Sequence, residues 1–277
     1  MRKIKIVADT SCDLLKLNNT DFAYAPMKII TDDKEFLDDD KLDVDGMVDF
    51  LDRYKGKSKS SCPNTNDWID AFGDADEVFG VAITSNLSGC YNAASIAAEE
   101  YMSSHPDARV FILDSLSTGP EMQLILEKYQ ELIDAGKSFD EICTEIRTYL
   151  ARTHLIFSLK SLDNFAKNGR VSPIVAKAVG VLGIRIVGKA SDEGTLEPMH
   201  KCRGEKRALQ QLMDTMTELG YNGGKVRLAH SYNEDAAKAL ADMIRSRYPE
   251  CDITITCNRG LCCYYAEEGG VLVGFEG

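Results

Sequence analysis

Glu77-Val78-Phe79-Gly80-Val81-Ala82-Ile83 followed by Thr84-Ser85-Asn86-Leu87-Ser88-Gly89-Cys90-Tyr91-Asn92-Ala93-Ala94-Ser95 is the stretch whose reading decides the fold. The first seven residues form a short apolar run, the signature of a buried strand. The chain then passes through small hydroxyl residues into an alanine-rich helix. Ser88 sits where an N-cap belongs, with an oxygen able to accept from a first-turn amide. Gly89 removes the side chain that would hold a ligand off the backbone. A helix N-terminus behind a buried strand offers unpaired N–H groups and partial positive charge. With the hydroxyls of Thr84, Ser85 and Ser88 beside it, the turn suits a carboxylate or a phosphate. Simple capping of the helix by Ser88 accounts for the same residues.

Working outward, hydroxyls recur at strand ends. Lys3 to Asp9 reads as a strand leaving through Thr10-Ser11-Cys12-Asp13, so Asp9 either lines a site or braces the turn. Phe22 to Ile30 reads as a second strand. Arg109 to Leu113 is another, ending in Asp114-Ser115-Leu116-Ser117-Thr118-Gly119. Ser60-Ser61-Cys62-Pro63 should be an extended loop, because proline biases the residue before it away from helix. Asn64 then caps a helix over residues 65–72. Helices are expected over 121–135 and 139–152, with Gly136 between them. Strand–helix alternation of this kind predicts a parallel sheet flanked by helices.

The acidic stretch Asp38-Asp39-Asp40-Lys41-Leu42-Asp43-Val44-Asp45-Gly46 supplies no complete calcium-loop register, so it reads as a solvated loop leading into a helix over 47–54. In the second half, 154–159 is a strand and Asn168-Gly169 stops a helix. Ser172-Pro173 opens the next, and the run from Ile174 to Val187 is apolar nearly all round, as in a buried helix or a cavity wall. Strands over 184–189 and 195–201 flank the hairpin signal Asp192-Glu193-Gly194. Helices follow to Leu219 and Arg247, with strands at 225–229, 252–257 and 271–275 and a short helix over 260–267. His230, at a strand end, reads as a structural histidine. The expected fold is α/β in two domains, 1–152 with a mostly parallel sheet and 153–277 with a mixed sheet, and a ligand between them.

Composition narrows the function. The chain has 277 residues, 44% hydrophobic and 27% charged, with a net charge of -12, which argues against nucleic acid or an anionic membrane as partner. No signal peptide and no run long enough to span a bilayer is read, and the nine scattered cysteines read as reduced thiols of a cytoplasmic protein. No nucleophile elbow, P-loop, dinucleotide fingerprint or zinc spacing occurs. Many hydroxyls without a base to activate them describe binding better than turnover. No metal or cofactor is expected. The competing readings are an enzyme acting on a small phosphate or carboxylate through Asp9 and the strand-end hydroxyls, and a regulatory or interaction protein in which any bound ligand is only structural.

Taken in order, several stretches resemble the DegV family of bacterial fatty-acid-binding proteins. They are Val7-Ala8-Asp9-Thr10-Ser11-Cys12-Asp13-Leu14, Ser60-Ser61-Cys62-Pro63, Ser85-Asn86-Leu87-Ser88-Gly89-Cys90-Tyr91, Asp114-Ser115 to Gly119, Asn168-Gly169-Arg170-Val171-Ser172 and Cys202-Arg203-Gly204-Glu205-Lys206-Arg207-Ala208-Leu209. The resemblance spans essentially the whole chain. It implies a non-catalytic carrier that clamps one long-chain fatty acid, such as palmitate, between two α/β domains and presents it to a separate kinase subunit. It assigns the carboxylate to Ser61 and Ser88, with Ser60 and the Gly89 amide alongside, and the kinase-facing surface to Arg170 and Arg203. The chain departs from the family pattern at Asn64 and at Asn258-Arg259-Gly260-Leu261, where Arg259 stands in the region of a usual histidine and G-P-G turn. For such a ligand the tail dominates: about fifteen buried carbons at about 0.8 kcal/mol each exceed any set of hydroxyl contacts. The carboxylate contacts then decide orientation.

Overall fold

The computed structural model describes residues 2–18, 20–172 and 183–277. β6 (Glu77–Ala82) is buried at every position, as its unbroken apolar run requires. It leads through the hydroxyl turn into α3 (Cys90–Ser104). β6 lies in a four-stranded, all-parallel sheet ordered β2 (Phe22–Ala25), β1 (Ile4–Asp9), β6 and β7 (Arg109–Asp114). The mixed second sheet runs β10 (Leu196–Arg203), β9 (Ile184–Ala190), β8 (Thr153–Leu159), β13 (Val271–Glu276), β11 (Lys225–His230) and β12 (Asp252–Cys257). Among the described residues, only β11 and β12 pair parallel there. The α/β class, the parallel first sheet and the mixed second sheet are as the sequence predicts.

Three expectations need correction. The strand read over 22–30 is two strands in different sheets. Pro26 has no N–H to continue the ladder, and the Met27 amide turns aside to Thr10 Oγ1 at 2.9 Å. The chain resumes as β3 (Lys28–Thr31), centre of a small antiparallel sheet with β4 (Glu35–Leu37) and β5 (Ser58–Ser61). The serine pair expected in a loop is therefore the end of β5. The acidic stretch is not wholly solvated either. Asp43 caps α1 (Val44–Arg53) through the Gly46 amide at 3.0 Å, and Asp38 is fully buried. Of the apolar run 174–187, residues 184–187 belong to β9, and residues 174–182 lie outside the described residues.

α2 (Thr65–Phe72) begins at a reciprocal capping box: Asn64 Oδ1 accepts from the Asp67 amide at 3.1 Å, and the Asp67 carboxylate accepts from the Asn64 amide at 2.8 Å. Asn64→Ala should lower unfolding stability by about 1 kcal/mol in a urea titration, and Asn64→Ser should recover most of it. The two sheets are joined by α4 (Gly119–Asp134), which packs on β8, β11 and β13 on one side and on β1 and β6 on the other. α5 (Phe139–Leu150) packs outside it. From the second half, α9 (Gly260–Ala266) reaches back against β3 and the turn after β1, and its Leu261, Tyr264 and Tyr265 join the first core.

Candidate functional site

Where the carboxyl ends of β6 and β7 face the second sheet, the chain leaves a cavity of about 790 Å³, its open mouth included. Open α/β sheets leave their crevice at this end. The far wall is β8: Leu155, Phe157 and Leu159 alternate along the strand and so share one face. Leu272 of β13, paired opposite Phe157, extends that wall, and Ala190 and Leu196 of the β9–β10 hairpin close its side. Met27, Ile83 and Leu261, which belong to the first core, line the side nearer the first sheet, and Ala266 joins the β8 wall. This is the lining of a site for a hydrocarbon.

Ser60, Ser88, Arg170 and Tyr265 line the cavity toward the Leu159 end, and Thr84, Ser117, Thr118 and Thr195 add hydroxyls elsewhere in the lining. Ser88 precedes the helix by two residues: Gly89 is the N-cap of α3, and Ser88 Oγ accepts from the Cys90 amide at 3.3 Å. A Cβ on Gly89 would meet nothing nearer than Cys62 Sγ at 3.9 Å, so local sterics do not demand glycine there. Ser60 Oγ lies 2.7 Å from the Tyr265 hydroxyl. Ser61, one residue on along β5, points the other way by strand alternation; its hydroxyl makes a 3.4 Å contact with the Cys62 carbonyl and it is not among the lining residues. Arg170 follows Asn168 at the end of α6 (Asp163–Lys167). It donates from Nε to the Leu87 carbonyl at 3.1 Å and from a terminal nitrogen to the Asn168 carbonyl at 2.8 Å, beside Ser88. Arg203 is exposed on β10, away from these groups in the lining.

The opposite end of the cavity is shut by the β9–β10 turn. Thr84 Oγ1 donates to the Gly194 carbonyl at 2.8 Å, and the Asn86 side-chain amide donates to the Glu193 carbonyl. Gly194 is needed there on two counts: its φ is +76°, and a Cβ would strike Thr84 Oγ1 at 2.3 Å.

Asp9 does not face the cavity. It is fully buried, and its carboxylate accepts from the Ser11 amide and hydroxyl, from the Ile83 amide at 2.7 Å and from the Cys90 thiol at 3.2 Å. Those contacts lash β1 to the turn after β6 and leave no lone pair for acid–base work on a substrate. Arg259 is likewise engaged elsewhere: its amide donates to Asp13 Oδ1 at 2.9 Å and its guanidinium to the Asp39 carbonyl at 2.7 Å. His230 takes part in contacts with the Asn233 amide and the Cys257 thiol, as a structural histidine does.

Comparison with known proteins agrees with this fold. A family model described as an uncharacterised protein of the DegV family matches residues 3–276. A DegV domain-containing protein of Streptococcus pneumoniae (strain ATCC BAA-255 / R6) is 43% identical over 276 residues, covering 98% of each chain. Among solved structures, a DegV family protein from Eubacterium eligens loaded with heptadecanoic acid superposes with a TM-score of 0.97 at 46% identity over 99% of both chains. The Streptococcus pneumoniae Fatty Acid Kinase (Fak) B3 protein loaded with linoleic acid does so with a TM-score of 0.97 at 42% identity, again over 99% of both chains.

Proposed function

The chain belongs to the DegV family, and on that premise we propose that it binds one long-chain fatty acid, tail along β8 and carboxylate at Ser60 and Ser88, and delivers it to a fatty acid kinase subunit. The observation that carries the reading is the cavity itself: an apolar trough that ends in two serine hydroxyls. The loaded relatives at 46% and 42% identity support the class of ligand, and the Fak B3 relative supports the partner. The halves 1–152 and 153–277 are taken as the two domains that hold the ligand between them. We take the protein as a non-catalytic carrier: Asp9 is fully engaged, so the hydrolase or transferase alternative loses its acid–base residue. A reducing cytoplasm suits its nine free cysteines. No helix among the described residues is long and apolar enough to cross a membrane.

We assign the carboxylate to Ser60 in preference to Ser61, because Ser60 lines the cavity. Arg170, beside Ser88 at the mouth, provides positive charge both for the head group and for a kinase waiting outside. Native mass spectrometry of the purified protein tests the ligand: a retained C14–C18 acid supports the reading, and a protein that neither retains nor takes up palmitate overturns it. Mixing the loaded protein with a fatty acid kinase subunit and ATP tests the delivery, with acyl phosphate as the product sought. Ser88→Ala removes one hydrogen bond to a charged acceptor and leaves the tail trough whole. Calorimetry with palmitate should show about a tenfold loss of affinity. Ser61→Ala should bind palmitate like the unaltered chain.

A further inference from the structure

We infer that Tyr265 is a positioning residue for the head-group site, its phenol holding the Ser60 hydroxyl so that the serine's single proton is directed at the ligand's carboxylate; this rests on the fatty-acid reading above. A serine hydroxyl has one proton to donate and two lone pairs to accept with. Ser60 Oγ and the Tyr265 hydroxyl are 2.7 Å apart, so one of them donates to the other. If Ser60 donated to Tyr265, its lone pairs would face an incoming carboxylate, and two acceptors would meet. With Tyr265 as donor, the Ser60 proton is free for the anion. Burial pushes the Tyr265 phenol up to about 12, so it keeps its proton at neutral pH.

The surroundings hold both groups in place. Tyr265 is nine-tenths buried on α9, packs its ring on Phe165 at a centroid distance of 4.7 Å, and lies under the Arg170 guanidinium at 5.5 Å. Ser60 is pinned through its main chain as well. Its amide, on the edge of β5 away from β3, donates to Asn168 Oδ1 at 3.1 Å. The Asn168 side-chain amide donates in turn to the Tyr264 hydroxyl at 2.9 Å, which also meets Ser58 Oγ at 2.8 Å. Both ends of the Ser60–Tyr265 pair are thus fixed before any ligand arrives, which is what makes a single hydroxyl effective against a charged group.

The test is a cycle of Tyr265→Phe, Ser60→Ala and the double variant, each titrated by calorimetry with palmitate and with hexadecan-1-ol, which has the same tail and no charge. Tyr265→Phe keeps the ring stack. It should weaken palmitate about tenfold and hexadecanol by less than about threefold, and the double variant should be no weaker for palmitate than Ser60→Ala alone. A double variant whose losses multiply, or equal losses for the two ligands, overturns the inference and leaves Tyr265 a packing residue. So does palmitate affinity unchanged in Tyr265→Phe. Thermal melting without ligand separates a folding defect from a binding one. An unaltered chain that takes up neither ligand sinks the fatty-acid reading itself, an outcome distinct from any of these.

Discussion

Gly188→Ala should cut the acceptance of long acyl chains while sparing short ones. Gly188 of β9 pairs with Phe157 of β8, the two sharing the cavity face of the sheet. A Cβ built on Gly188 would lie 2.6 Å from Phe157 Cζ, so the phenyl ring rests over the bare backbone of its cross-strand neighbour. A methyl group there lifts the ring, and the free space on that face is the cavity. Phe157 stands about 7 Å deeper than Leu159 and about 7 Å short of Leu155, two residues of strand each way, a step matching roughly five methylenes of an extended tail. A raised ring therefore bars the part of the tail that lies against Leu155 and Leu196. At about 0.8 kcal/mol per methylene, palmitate should lose on the order of several hundredfold in affinity, whereas hexanoate, which ends before the barrier, should change by less than about threefold. The same Cβ also meets the Glu197 carbonyl at 2.5 Å, so some stability is lost as well. Adding Phe157→Leu removes the ring being lifted and should restore much of the palmitate affinity without restoring the stability. Calorimetry with acids from C6 to C18 reads both effects, and a uniform loss at every chain length would place the trough elsewhere than along β8.

The elements legible in the sequence were those whose signal is local. The buried strand over 77–82, the Asn64 cap and the Asp192-Glu193-Gly194 hairpin each carry their cause within a few residues: an unbroken apolar run, a side-chain oxygen three residues from an amide, a glycine at positive φ. The site was legible to the level of a hydroxyl-lined mouth, and Ser60 and Ser88 are in the cavity lining. What local reading missed depends on distant partners. Whether Ser60 or Ser61 faces the cavity is set by the pairing of β5 with β3, and Ser58-Lys59-Ser60-Ser61 has no apolar alternation to announce a strand. Tyr265 sits in a short helix buried on all sides, where nothing marks its hydroxyl as different from the core around it. The run His154-Leu155-Ile156-Phe157-Ser158-Leu159 carries a period-two face that lines the cavity, whereas residues 174–182 of the other candidate wall lie outside the described residues. Asp38 was lost in a crowd of acids. Only the amides at the start of α9, more than two hundred residues on, explain why that one carboxylate is buried.

Asp13→Asn should stabilise the protein, and the gain should grow with pH. Asp13 and Asp38 are both buried against the start of α9. Asp38 accepts from the Gly260 amide at 3.2 Å and the Leu261 amide at 3.0 Å, and Asp13 accepts from the Arg259 amide at 2.9 Å. Asp13 is the poorer placed of the two. Its Oδ2 has no hydrogen-bond partner, because the Cys262 thiol beside it donates to the Ser11 carbonyl. Burial, with the Asp38 charge adding to it, pushes the Asp13 carboxyl up to about 8 against the pull of the Arg259 amide and guanidinium; burial likewise lifts Asp38 to about 6. A carboxyl that holds its proton more tightly when folded makes the folded state lose stability as pH rises, from the unfolded value near 4 up to the folded value near 8. Below that window Asp13 is protonated in both states and asparagine imitates it, Oδ1 still accepting from Arg259. Above it, the aspartate must either ionise in a dry pocket or hold a proton against the solution, and asparagine does neither. Urea unfolding should therefore show the variant within about 0.5 kcal/mol of the unaltered chain at pH 3.5 and about 2 kcal/mol more stable at pH 8.5. Asp38→Asn is the contrasting case: it surrenders one of two amide acceptors at a helix start and should destabilise across the same range. A pH-independent effect of Asp13→Asn would mean that the carboxylate is ionised and well solvated in the fold, which its burial beneath α9 does not allow.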